Sequence, residues 1–159
     1  MFDQSFVVSA PLEKVWAFHS DPVGLTQITP RMIRVKILSC DYPVRTGSKI
    51  VMRMHVGPVS AQWNSLIVGC MEFERFTDEQ IKSEGPFKVW NHTHSFTEIK
   101  NGTRVTDHVE YEMPFGIFGK VAHALGGRYL IMEMFRARMR ATKAYLEGRD
   151  RQRSGISLA

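Results

Sequence analysis

The chain has 159 residues, 43% hydrophobic and 23% charged, which suits one globular domain and excludes a disordered or collagen-like polymer. No apolar run approaches the ~20 residues of a membrane-spanning helix, so no transmembrane segment is expected. The net charge of +5 is confined to the C-terminal end, because residues 1–127 hold equal numbers of basic and acidic side chains.

Residues 2–9 alternate as a first strand. Asp3 and Gln4 stand where an export signal would carry basic residues, and no such signal is visible. Pro11 suits the start of a helix, and Leu12, Val15, Trp16 and His19 repeat at helical spacing until Asp21-Pro22. A second short helix is expected over about Gly24 to Ile28. Six strands should follow at about 33–40, 48–56, 59–69, 73–83, 87–99 and 103–113. Tyr42-Pro43, Gly57-Pro58, Gly85-Pro86 and Asn101-Gly102 punctuate them, and such short connections make antiparallel neighbours. A long helix fills the rest, with Leu125, Tyr129, Met132, Phe135 and Met139 as its apolar stripe. Gly126-Gly127 should interrupt it and leave residues 115–126 as a movable lid; Met132 and Met139 are deformable side chains beside it.

The fold class expected is therefore α+β, a curved seven-stranded antiparallel sheet wrapped on a long C-terminal helix. Residues 1–148 make a single domain and 149–159 a basic, flexible tail. Arg149, Arg151 and Arg153 have no interleaved aromatic residues, so they read as a solvated end, and no nucleic acid partner is expected. Cys40 and Cys70 are too few for a disulfide scaffold, which points to reduced thiols and a cytoplasmic location. One helix cannot cover the whole concave face of seven strands. The remainder is a cavity or open to solvent.

Chemistry concentrates on the hairpin from Phe87 to Met113. A two-residue turn at Asn101-Gly102 would set Lys100 opposite Thr103 and His92 opposite Tyr111. Alternation then puts Trp90, His92, His94 and Phe96 on one face with Val105, Asp107, Val109, Tyr111 and Met113, with Glu110 and Glu112 opposite. His92, His94 and Asp107 interrupt an apolar surface, and buried polar groups cost about 1–3 kcal/mol each unless partnered. The trio either bond one another as sheet structure or line a pocket and orient a ligand. His-x-His on a strand aims both imidazoles one way, but no third metal ligand is evident at suitable spacing, so no metal is expected. Trp63 lies on an inward set with Ala61, Ser65 and Ile67. Asp78 and Gln80 share parity, but the Gly85-Pro86 loop leaves their side undetermined. His19 and His55 read as isolated. There is no phosphate-binding glycine loop, serine elbow or Cys-x-x-Cys pair, and no cofactor is expected.

Several segments look familiar together: Ser9-Ala10-Pro11-Leu12-Glu13-Lys14-Val15-Trp16, Phe18-His19-Ser20-Asp21-Pro22, Asp78-Glu79-Gln80, Gly85-Pro86-Phe87, Trp90-Asn91-His92-Thr93-His94 and Tyr111-Glu112-Met113-Pro114-Phe115-Gly116. Over about residues 2–147 the chain resembles the START/polyketide-cyclase/birch-pollen-allergen (SRPBCC) superfamily, in its polyketide-cyclase-like bacterial branch. That resemblance implies a helix-grip fold and a hydrophobic small-molecule ligand of lipid, polyketide or isoprenoid class. The expected ligand-binding residues are Trp63, Gln80, Trp90, His92, His94, Phe96, Asp107, Val109, Tyr111, Leu125, Tyr129 and Met132. The alternative is a cyclase, dehydratase or isomerase, with His94 or His92 as general base, Asp107 orienting it and Tyr111 donating a proton.

Overall fold

The structure is a computed structural model that describes residues 1–29, 33–114, 116 and 127–154, with side chains to Gly148. Strand β1 (Phe2–Val8) leads into helices α1 (Leu12–Ser20) and α2 (Pro22–Ile28). The strands β2 (Ile33–Cys40), β3 (Lys49–Val56), β4 (Val59–Met71), β5 (Arg75–Gln80), β6 (Val89–Ile99) and β7 (Gly102–Glu112) follow, then helix α3 (Arg128–Ser154). The seven strands form one antiparallel, unclosed sheet in the order β1-β7-β6-β5-β4-β3-β2. This is the expected α+β helix-grip arrangement. Irregularities at Ile37/Ser39 and Ile67/Gly69 interrupt the ladder, and bulges of this kind bend a sheet. Among the described residues no helix is long and apolar enough to cross a membrane.

Helix α2 begins where local chemistry satisfies a free amide. The Asp21 carboxylate accepts from the Val23 amide at 2.8 Å and Pro22 occupies the first turn. Helix α2 therefore starts at Pro22, two residues earlier than the sequence pattern suggests. Gly126 and residues 117–125 lie outside the described residues, as does most of the lid segment expected over 115–126.

The β6–β7 hairpin differs from expectation in register. Ile99 pairs with Gly102, so His92 faces Val109 and His94 faces Asp107. The turn thus sits one residue earlier, because Gly102 belongs to the strand: at φ 137°, a Cβ there would run into the backbone of Val8 on β1. The slip is two residues along the partner strand, an even number, so every side chain keeps its face. Trp90, His92, His94, Phe96, Val105, Asp107 and Val109 are buried, and Glu110 is exposed.

Strand β5 ends at Gln80 rather than near Ser83. The Gln80 amide takes over from the ladder, donating to the Phe87 carbonyl at 2.6 Å and accepting from the Phe87 amide at 3.1 Å. Asn64 secures the same loop, donating its amide to Glu84 O and accepting from Ile81 N, each at 2.8 Å. Helix α3 buries Ile131, Phe135, Thr142 and Leu146. That stripe differs from the expected one: Tyr129 is 62% exposed and points away from the sheet, whereas Thr142 is 1% exposed. The inward face follows the i, i+4, i+7 spacing of Ile131, Phe135 and Arg138, and it includes a threonine and an arginine that a stripe of large apolar side chains passes over.

Candidate functional site

Between the sheet and α3 lies a cavity of about 110 Å³. Its greasy walls come from β2–β4 and α2, including Val35, Ile50, Met52, Met54, Trp63 and Leu25. Asp78, His92 and His94 on β5 and β6 make a polar wall, with Ser65, His19 and Arg138 at its margins.

The polar wall is built on register. Asp78 pairs with His92 across β5–β6, and His94 pairs with Asp107 across β6–β7. Both imidazoles therefore stand between two carboxylates. His92 Nε2 donates to Asp107 Oδ1 at 3.0 Å, and His92 Nδ1 lies 3.6 Å from Asp78 Oδ1. His94 Nδ1 lies 2.9 Å from the same Asp107 oxygen, outside the direction of a hydrogen bond, and His94 Nε2 is 3.9 Å from Asp78 Oδ1. The two rings sit 3.8 Å apart between centroids. The Ser65 hydroxyl donates to Asp78 Oδ2 at 3.1 Å.

Burial sets the charge states. It lowers His94 to about 4, with neighbouring His92 adding to the effect and Asp107 opposing it. Burial, helped by His94, takes His19 down to about 4 as well. His92 is also lowered by burial, against the pull of Asp107. Burial alone would raise Asp107, but the hydrogen bond from His92 and the close His94 imidazole outweigh it and hold the carboxyl well below the usual range. Asp78 is raised by burial, partly offset by His94, Ser65 and Arg138. Near neutral pH the imidazoles are uncharged and Arg138 is the cation facing the two aspartates.

Of the residues expected to meet a ligand, Trp63, Trp90, His92 and His94 line the cavity. Gln80, Phe96, Asp107 and Val109 are buried in the sheet behind that lining. Tyr111 is half-buried beside Phe87 and Trp90, Met132 is half-buried on α3, and Tyr129 is exposed. Leu125 lies outside the described residues. Sequence reasoning left Asp78 unplaced and missed Arg138, His19 and the methionine pair Met52 and Met54. His19, read as isolated, stands with its ring centroid 6.0 Å from that of His94. A usable signal existed for Arg138, which sits three residues after Phe135 on the buried helix face.

A family model described as "Polyketide cyclase / dehydrase and lipid transport" matches residues 8–140. No curated protein matches the chain closely enough to count as a relative. Among solved structures, a protein of Thermus thermophilus shares 18% identity at a TM-score of 0.73, covering 92% of this chain and 96% of its own. A protein of Chromobacterium violaceum gives 18% identity and a TM-score of 0.72 over the same shares of the two chains. The di-domain ARO/CYC StfQ from the steffimycin biosynthetic pathway gives 13% identity and a TM-score of 0.71, over 98% of this chain and 51% of that one. At such identities these structures are similar in fold.

Proposed function

Starting from the premise that the chain belongs to the polyketide cyclase/dehydrase and lipid transport family, we propose that it binds a hydrophobic or aromatic small molecule carrying one polar end. The supporting observation is the asymmetry of the cavity. Met52, Met54, Trp63 and Leu25 would take an apolar body, and the Asp78–His92–His94 wall with Arg138 would take an oxygen-bearing end. Sites of this kind combine an apolar lining with few polar groups that fix orientation. Unbranched Met52 and Met54 adapt to shape, which suits a ligand of lipid, polyketide or isoprenoid class.

Organic extraction of freshly purified protein followed by mass spectrometry tests the reading. A compound of that class at near one equivalent supports it. Titration with the apolar dye anilinonaphthalene sulfonate supplies a second measurement. Saturable binding that quenches Trp63 and Trp90, and that Met52→Arg abolishes, is the expected result. An empty extract together with no saturable dye binding would overturn the proposal.

A second reading, catalysis of cyclisation or dehydration, has one observation in its favour. The Asp107 carboxylate accepts from His92 Nε2, leaving Nδ1 facing the cavity side as a base with a fixed tautomer. A matched substrate–product pair in the extract, in place of one unreacted compound, would favour it.

A further inference from the structure

We propose that Asp78, His92 and His94 form a binding site for a divalent transition metal, with Asp107 hydrogen-bonded to His92 and close against His94 on the far side of the two rings. One donor atom from each of the three residues lies within 4.8 Å of the other two. His92 Nδ1 and His94 Nε2 both turn towards Asp78 Oδ1, at 3.6 and 3.9 Å. An ion with bonds of about 2.0–2.2 Å needs its donors roughly 3.0–3.5 Å apart, a modest contraction of these separations.

The opposite ring atoms strengthen the assignment. Histidines that ligate metals commonly present their other nitrogen to a carboxylate, which fixes tautomer and ring direction. Here Asp107 accepts from His92 Nε2 at 3.0 Å and lies 2.9 Å from His94 Nδ1, off the hydrogen-bond direction. Ligating and orienting carboxylates therefore stand on opposite sides of the imidazole pair. A pair of histidines bonded only for sheet stability has no need of the second aspartate.

Two imidazoles and one carboxylate suit the Fe2+, Co2+ and Zn2+ range better than the oxygen-seeking Mg2+ or Ca2+. Three protein donors leave coordination positions open, and Asp78, His92 and His94 all line the cavity, so those positions are available to a ligand oxygen.

The full chain, stripped with a chelator, is titrated with Zn2+ by calorimetry and with Co2+ by visible absorption. One Zn2+ per chain is expected, with a Co2+ spectrum of low-symmetry nitrogen and oxygen ligation and a raised melting temperature. Asp78→Asn should weaken Zn2+ binding by at least ~10-fold, and Asp107→Asn, which changes only the outer partner, by ~10–100-fold. His94→Gln keeps the test sound if either aspartate variant fails to fold by circular dichroism. His55→Ala on β3, and His108→Ala, whose side chain bonds Asp3 on the other face of the sheet, should leave binding unchanged. Absence of a one-to-one Zn2+ isotherm would overturn the assignment. So would binding that survives both Asp78→Asn and His94→Gln, or that disappears with His55→Ala or His108→Ala.

Discussion

Two regions one rung apart on the same strands do opposite things. Phe96 pairs with Val105, which pairs with Phe6 on β1, and that rung is dry. Trp16 of α1 seals it, with its ring 5.4 Å from Phe96 and 5.8 Å from Phe76. On the next rungs the same backbone presents His94 opposite Asp107, then Asp78 opposite His92. There α3 covers the sheet with Phe135 and Arg138, and a cavity remains under it. The hydrogen-bond ladder is common to both regions, so it decides neither fate. The helix layer does. Where a tryptophan closes against the sheet, aromatic side chains add burial at about 25 cal/mol per Å² of apolar area. Where the layer stands off, charged groups survive with partners and the sheet carries a site. The first region stabilises; the second costs stability and supplies the polar groups that the proposed ligand would meet.

Truncating the dry rung gives the largest effect. Phe96→Ala should lower unfolding free energy by about 3–5 kcal/mol in urea denaturation. A loss under 1 kcal/mol would mean that the two regions do not differ as described.

Acid probes the polar region next. His19 and His94 titrate near 4 in the fold and near 6.5 when unfolded. Between those values the unfolded chain takes up protons that the fold refuses, so stability is full above about pH 6.5 and falls towards pH 4. Melting temperatures of metal-free protein should drop across that window, and His19→Phe should make the slope shallower. A flat profile for the unmodified protein would contradict the burial of neutral imidazoles.

Asp78→Asn should give the smallest change. Its carboxyl already resists ionisation through burial, and removing a desolvated charge often leaves stability within about 1 kcal/mol or raises it. The informative result is the split: near-unchanged melting with loss of Zn2+ or dye binding marks a group kept for function. Melting that collapses as far as in Phe96→Ala would erase the contrast between the rungs.

The consecutive pairing of β2 through β7 and the inner face of the β6–β7 hairpin were legible because both rest on alternation and on turn dipeptides, whereas the place of β1 beside β7 was not. Register was less so, since the demand for glycine at residue 102 comes from Val8, a neighbour distant in sequence. His92 and His94 were readable as polar breaks in an apolar face. Asp78 was not, because its side depends on how β5 ends, and Gln80 rather than a turn residue ends it. Arg138 looked like one more member of a basic helix end; only the packing of Phe135 onto the sheet turns it inward. What a single strand or helix dictates is local and visible. What two elements decide jointly appears only when they meet.

The Gln80 clamp carries a consequence for hydrogen exchange. The segment between β5 and β6 has no ladder of its own, and chain of that kind normally trades its amide protons with solvent quickly. Here the amides of Ile81, Glu84, Phe87 and Lys88 all have acceptors, and Gly85 leaves no room for a Cβ against the Gln80 side chain. Deuterium uptake at Phe87 should therefore be as slow as in the flanking strands, and Gln80→Ala should release it without touching uptake at Val105. Loop and sheet then move as one body, so this loop is not the part of the molecule that opens to admit a ligand.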